Sequence, residues 1–207
     1  MRASVLIVVS SLMLAAGCRR SVDPSRPAIL SVKYDQTVGL SVVAADTNHN
    51  GVADTWTYTR GTTAVRTEQD LDEDGKVDRW EYNSSAGKVT KVALSSRANG
   101  QPDTWIYPDA NGQPVRIEIS QAGNGRVDRW EYYESGRLVR VALDTDEDGR
   151  PDRWEGHEGV ETLLWVEVDL NKDGVADERV TYDASGRVTM TEADSDGRGG
   201  YLKRSPH

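Results

Sequence analysis

The chain has no phenylalanine, one cysteine, three histidines and three methionines among 207 residues. With Cys18 as its single thiol, no intrachain disulfide can form, so an exported fold must be held by other means. His49, His157 and His207 share no common spacing, which removes the usual imidazole metal centres. No H-E-x-x-H, G-x-S-x-G or phosphate-cradling loop is present, and no enzymatic activity is expected. Positive charge is also scarce: 25 Lys and Arg stand against 34 Asp and Glu, for a formal net charge of −9. Nucleic acid is therefore not an expected partner, because phosphate recognition needs clustered cations. The lack of Phe beside six Trp and eight Tyr implies a few aromatic positions used repeatedly. Beyond residue 17 no stretch carries a helical apolar stripe.

Residues 1–17 read as an export signal. Arg2 supplies a positive start, and "SVLIVVSSLMLAA" is an apolar run too short to span a bilayer comfortably. The run ends in "LAAGC", which resembles the bacterial lipoprotein signal. That resemblance implies lipidation of Cys18 as the mature N-terminus. An ordinary secretory signal with an incidental cysteine is the alternative. Residues 18–28 would then be lipid anchor and tether, with Arg19 and Arg20 against anionic head groups. The expected location is the bacterial cell envelope, lipid-anchored in the outer membrane.

The rest of the chain is repetitive. Gly51, Gly75, Gly100, Gly125, Gly149 and Gly174 follow one another at steps of 24 or 25 residues. A seventh unit fits Gly199, with Asp194 and Asp196 ahead of it and Gly197 as a competing anchor. Three residues after each of the six glycines stands an aspartate: Asp54, Asp78, Asp103, Asp128, Asp152 and Asp177. Two further on comes tryptophan in five units: Trp56, Trp80, Trp105, Trp130 and Trp154. Tyrosine follows in four: Tyr58, Tyr82, Tyr107 and Tyr132. Such a period marks a repeat architecture.

Each unit reads as loop, strand, turn, strand. In "DRWEYY", Trp130 and Tyr132 alternate with Arg129, Glu131 and Tyr133. In "LVRVALD", Val139, Val141 and Leu143 alternate with Leu138, Arg140 and Ala142. The expected fold is all-β: an antiparallel meander of repeated hairpins over 29–202, forming a twisted or solenoid-like sheet with one apolar face. Residues 203–207 are expected to be a disordered tail. "YDASGRVTMTEAD", residues 182–194, resembles the tyrosine–aspartate repeat of bacterial Rhs and toxin-complex shells. A degenerate shell fragment is one role that resemblance implies.

The loops carry the chemistry. A tight calcium loop places oxygen ligands at positions 1, 3 and 5, glycine at 6 and a further carboxylate at 9 or 12. Asp70, Asp72, Asp74 and Asp78 satisfy this, as do Asp144, Asp146, Asp148 and Asp152. Glu81 and Glu155 stand at position 12 as secondary candidates, beside Asp194 and Asp196 in the last unit. Asp46, Asn48, Asn50 and Asp54 form a third loop, and Asp169, Asn171, Asp173 and Asp177 a fourth. The remaining two loops, with Ser95, Arg97, Asn99 and with Ser120, Ala122, Asn124, are expected to turn without metal. The alternative is that the aspartates are solvated turn formers. These loops resemble the acidic calcium repeats of thrombospondin type 3, which implies Ca²⁺ as the bound ion. Pro151 and Trp154 exclude an EF-hand, because strands rather than helices flank the loop. Trp56, Trp80, Trp105, Trp130 and Trp154 fall on successive hairpins. They either cover the aliphatic strands as core or form an exposed ladder that stacks on polysaccharide. The expected role is structural or adhesive, with a cell-surface polysaccharide or another envelope protein as partner.

Overall fold

The computed structural model describes residues 26–36, 39–195 and 200–207. Cys18, the expected export signal at residues 1–17 and Asp196 lie outside the described residues. The described residues contain no helix. Fifteen strands follow chain order as an antiparallel meander, as the hairpin periodicity requires.

The chain divides into two compact units, one ending at Val89 and the other starting at Thr90. The first holds β1 (Ala28–Asp35), β2 (Leu40–Asp46), β3 (Thr55–Arg60), β4 (Thr63–Gln69) and β5 (Arg79–Asn83). The second begins within β6 (Val89–Leu94). It continues through β7 (Thr104–Pro108), β8 (Pro114–Ile119), β9 (Arg129–Glu134), β10 (Arg137–Leu143) and β11 (Arg153–His157). β12 (Leu163–Val168), β13 (Glu178–Tyr182), β14 (Val188–Ser195) and β15 (Tyr201–Pro206) complete it. The expected tail is thus corrected: Lys203 to Pro206 belong to β15, which pairs antiparallel with β14.

Short turns join odd to even strands, and acidic loops join even to odd strands from β2 to β13. Within each unit all the acidic loops therefore lie along one edge. The β3–β4 and β9–β10 turns have only two residues between their strands. Ser135 and Gly136 both have positive φ, 50° and 75°, the pair of angles a type I′ hairpin needs to match strand twist.

Register decides which side chains share a face. Trp130 pairs with Ala142 across one hairpin and with Glu118 across the other. Val141 and Leu143 pair instead with Glu131 and Arg129. The indoles and the aliphatic rows therefore occupy opposite faces. This corrects the expectation of a single apolar face with tryptophan covering the aliphatic strands. The cause is one residue of register, which sends a side chain to the other side. A bulge between Leu138 and Arg140 makes a second correction: Leu138 pairs with Tyr133, on the face of Val141 rather than that of Ala142.

Each unit is a single layer, so few side chains are sealed. Val141 is an exception at 0% exposure. Its strand neighbours on that face, Glu131 and Glu155, are held by Arg129 and Arg153 at 2.8 Å. Tyr133 donates to Glu131 at 2.6 Å. Burial and that carboxylate push the Tyr133 phenol up to about 12.

The tryptophan face repeats a different device. Arg66 lies over the Tyr58 ring at 4.0 Å and pairs with Glu68 at 3.1 Å, while Tyr58 donates to Glu68 at 2.7 Å. Arg116, Tyr107 and Glu118 repeat it, with the guanidinium 4.3 Å from the ring centroid. Cation–π and charge contacts thus knit a half-buried face that lacks a second layer. At β11–β12 the pattern inverts. Gly156 stands where other units have Tyr, and Trp165 where they have a basic residue. The indole fills the space over the glycine: a Cβ there would come within 2.1 Å of Trp165 Nε1. Arg179 covers Trp165 at 4.7 Å.

Candidate metal centre

All six acidic loops share one hydrogen-bonded frame. The side chain at position 9 accepts from the N–H at position 2, as Asp54 from Thr47, Asp78 from Leu71 and Asp128 from Gln121, at 2.7–2.9 Å. The side chain at position 5 accepts from the N–H at position 7, as Asp74 from Lys76 and Asn124 from Arg126, both at 2.8 Å. At position 1, Asp46, Asp70, Asp144 and Asp169 accept from the glycine N–H at position 6, at 2.7–2.9 Å. Ser120 Oγ does the same for Gly125 at 3.2 Å. Loops with and without a full carboxylate set therefore have the same shape. Their difference is charge, and the turn-forming and ion-holding readings of these aspartates are compatible.

The frame also stacks neighbouring loops. The N–H of Asp70 donates to the Asp54 carbonyl at 2.9 Å, and that of Asp169 to the Asp152 carbonyl at 2.8 Å. Position 4 is left-handed in every loop: His49, Glu73, Ala98, Gly123, Glu147 and Lys172 have φ between 50° and 67°. Sequence reading missed this position, although a charged side chain recurs there at the repeat spacing. In two loops, at Glu73 and Lys172, it reaches across to the neighbouring loop. Glu73 accepts from the Asn48 and Asn50 amides, and the Lys172 ammonium meets Asp146. Arg97, in a loop expected to turn without metal, has a structural use. It donates to the Gln121 carbonyl at 2.5 Å and faces Asp103 at 3.8 Å. It does so over Gly123, where a Cβ would lie 1.7 Å from its Nη1.

Two of the four candidate loops bring three carboxylates together. Oxygens of Asp70, Asp72 and Asp78 lie within 4.8 Å of one another, and so do those of Asp144, Asp146 and Asp152. Each such pair repels by about 1 kcal/mol in bulk water and by about 3–4 at an effective dielectric of 20. Either group could hold a metal ion, and all-oxygen carboxylate donors suit a hard cation. The position 5 carboxylates stand outside both groups: Asp74 binds Lys76 at 2.6 Å, and Asp148 takes the Arg150 N–H at 2.8 Å.

The other candidates are placed as follows. Asp46 and Asp54 are buried, with Asn48 and Asn50 turned to Glu73. Asp169 and Asp177 take backbone N–H groups of their own loop, Asn171 donates to Asp177 at 3.1 Å, and Asp173 takes the Val175 N–H. Glu81 binds Arg79 at 2.8 Å, and Glu155 binds Arg153 and His157, all on the strands rather than in the loops. Asp194 pairs with Lys203. The five tryptophans are all partly exposed.

Electrostatics follow the frame. Burial alone would raise the Asp54 carboxyl, but hydrogen bonds from Thr47, Thr55 and Asn48 outweigh it and hold it below the usual range. Asp103 is lowered the same way, against burial, by Ser96, Thr104 and Arg97. The Lys172 ammonium holds Asp146 low and is itself raised.

No family model and no curated protein matches this chain. Among solved structures, a chain from accessory secretory protein 1, 2 and 3 of Streptococcus pneumoniae is similar over 69% of this chain, with 15% identity and a TM-score of 0.28. S. aureus TarM is similar over 54%, with 13% identity and a TM-score of 0.22. The match spans 21% of the length of each of those chains, and likenesses this distant carry no functional argument.

Proposed function

We propose that this is a calcium-stabilised lipoprotein of a bacterial cell envelope, non-enzymatic, with a structural or adhesive role. The observation that carries it is the pair of three-aspartate groups on loops already stacked by backbone hydrogen bonds. A hard divalent ion at such a group cancels the local repulsion and clamps one hairpin edge. The lone Cys18 and the signal-like residues before it supply the anchor. In a bacterial host, Cys18→Ser is expected to move the chain from the membrane fraction to the soluble fraction. Unchanged membrane association of that variant would overturn the lipid anchor.

A second reading, polysaccharide binding, is favoured by the partial exposure of Trp56, Trp80, Trp105, Trp130 and Trp154 on one face within their units. Rings presented beside Glu68 and Glu118 offer both stacking surface and hydrogen-bond acceptors for sugars. Titration with cell-wall or exopolysaccharide fragments is expected to shift or quench indole fluorescence. A flat titration would remove this reading.

A further inference from the structure

The two three-aspartate groups look equivalent in sequence but differ in how many oxygens are left open. Asp70 is 6% exposed; its Oδ2 takes the Gly75 N–H, and its Oδ1 is sealed from solvent with no donor. A buried carboxylate oxygen without a partner is costly, and a cation relieves it. Asp70 also contributes to the group in which its oxygen, one of Asp72 and one of Asp78 converge within 4.8 Å. Position 2 of this loop is Leu71, which offers Asp78 an N–H but no hydroxyl.

Loop 144–152 is already filled. Both oxygens of Asp144 take backbone N–H groups, from Asp148 and Gly149. Thr145 donates to both oxygens of Asp152, through its N–H and its hydroxyl, at 2.8–3.2 Å. Asp146 is met by the Lys172 ammonium from the next loop. In loops 46–54 and 169–177 both oxygens of the first aspartate are likewise occupied and position 3 is a neutral amide; Asp54 Oδ1 is buried without a donor as well, but three carboxylates converge only in loops 70–78 and 144–152 among the described residues.

We infer that loop 70–78 is the primary divalent-cation site, with Asp70, Asp72 and Asp78 as ligands, and that Lys172 acts as a tethered cation occupying loop 144–152. This rests on the calcium reading above and ranks its sites. Three hard anionic oxygens, one of them on the exposed Asp72, fit Ca²⁺.

The test is calorimetric titration of the full chain with calcium ions alone. The wild type is expected to show one strong site. Asp72→Asn, at an exposed position, is expected to weaken it roughly tenfold or more through loss of a ligand charge. Asp70→Asn is expected to do the same, and Asp183→Asn, in an exposed tight turn outside the acidic loops, to leave it unchanged. Lys172→Gln is expected to expose a second site. Calcium binding that is indifferent to both Asp72→Asn and Asp70→Asn overturns this inference while leaving the calcium reading intact. A wild type that binds no calcium overturns both.

Discussion

Saturating calcium is expected to raise the melting temperature of the unit that contains Asp70, Asp72 and Asp78 by roughly 10–20 °C. An ion at a hundredfold excess over its dissociation constant adds about 2.7 kcal/mol per site to the folded state. For a domain of about 60–100 residues, each kcal/mol moves the midpoint by roughly 4–8 °C. The effect is large because the loop carries its negative charge before the ion arrives, held in place by N–H groups rather than by metal. The second unit is expected to shift less, because Lys172 already neutralises Asp146. Differential scanning calorimetry with calcium and with excess chelator reads both transitions. Coincident melts in the two conditions would remove calcium as a structural element.

Gly156→Tyr is expected to destabilise the second unit by about 3 kcal/mol, at the upper end of overpacking effects. The Trp165 indole occupies the place a side chain would need, with Nε1 and Cε2 2.1 and 2.2 Å from an ideal Cβ. Adding Trp165→Arg is expected to restore most of that loss. The double variant re-creates the Tyr–Arg pairing of Tyr132 with Arg140 and Tyr107 with Arg116. The expected coupling is about 2 kcal/mol, within the range for residues in contact. Urea denaturation of the four proteins closes the cycle. A double variant as weak as Gly156→Tyr alone would show that the indole is not what excludes a side chain there.

That exchange marks where sequence reading was nearest and where it stopped. Trp165 stands out against Lys91, Arg116 and Arg140, and the irregular "GHEGVETLL" flags the same hairpin. The compensating glycine one strand away becomes visible only once the register pairs Gly156 with Trp165. The tryptophan row shows the same limit. Its period is plain in the chain, yet whether Trp130 faces Ala142 or Val141 depends on a single residue of register.

The sequence by itself determined the repeat, the absence of helices among the described residues, the alternation of strands with tight turns and acidic loops, and the positions that supply loop oxygens. These are local properties, written in periods of two residues along strands and of 24 or 25 residues along the chain. Tertiary structure alone decided which face each row occupies, which carboxylates converge, and which loops are already served by Arg97 or Lys172. Those outcomes depend on side chains reaching from one hairpin to the next, across strands about 4.8 Å apart but some 25 residues distant in the chain. A repeat makes its units look alike in sequence; only contacts between neighbours tell them apart.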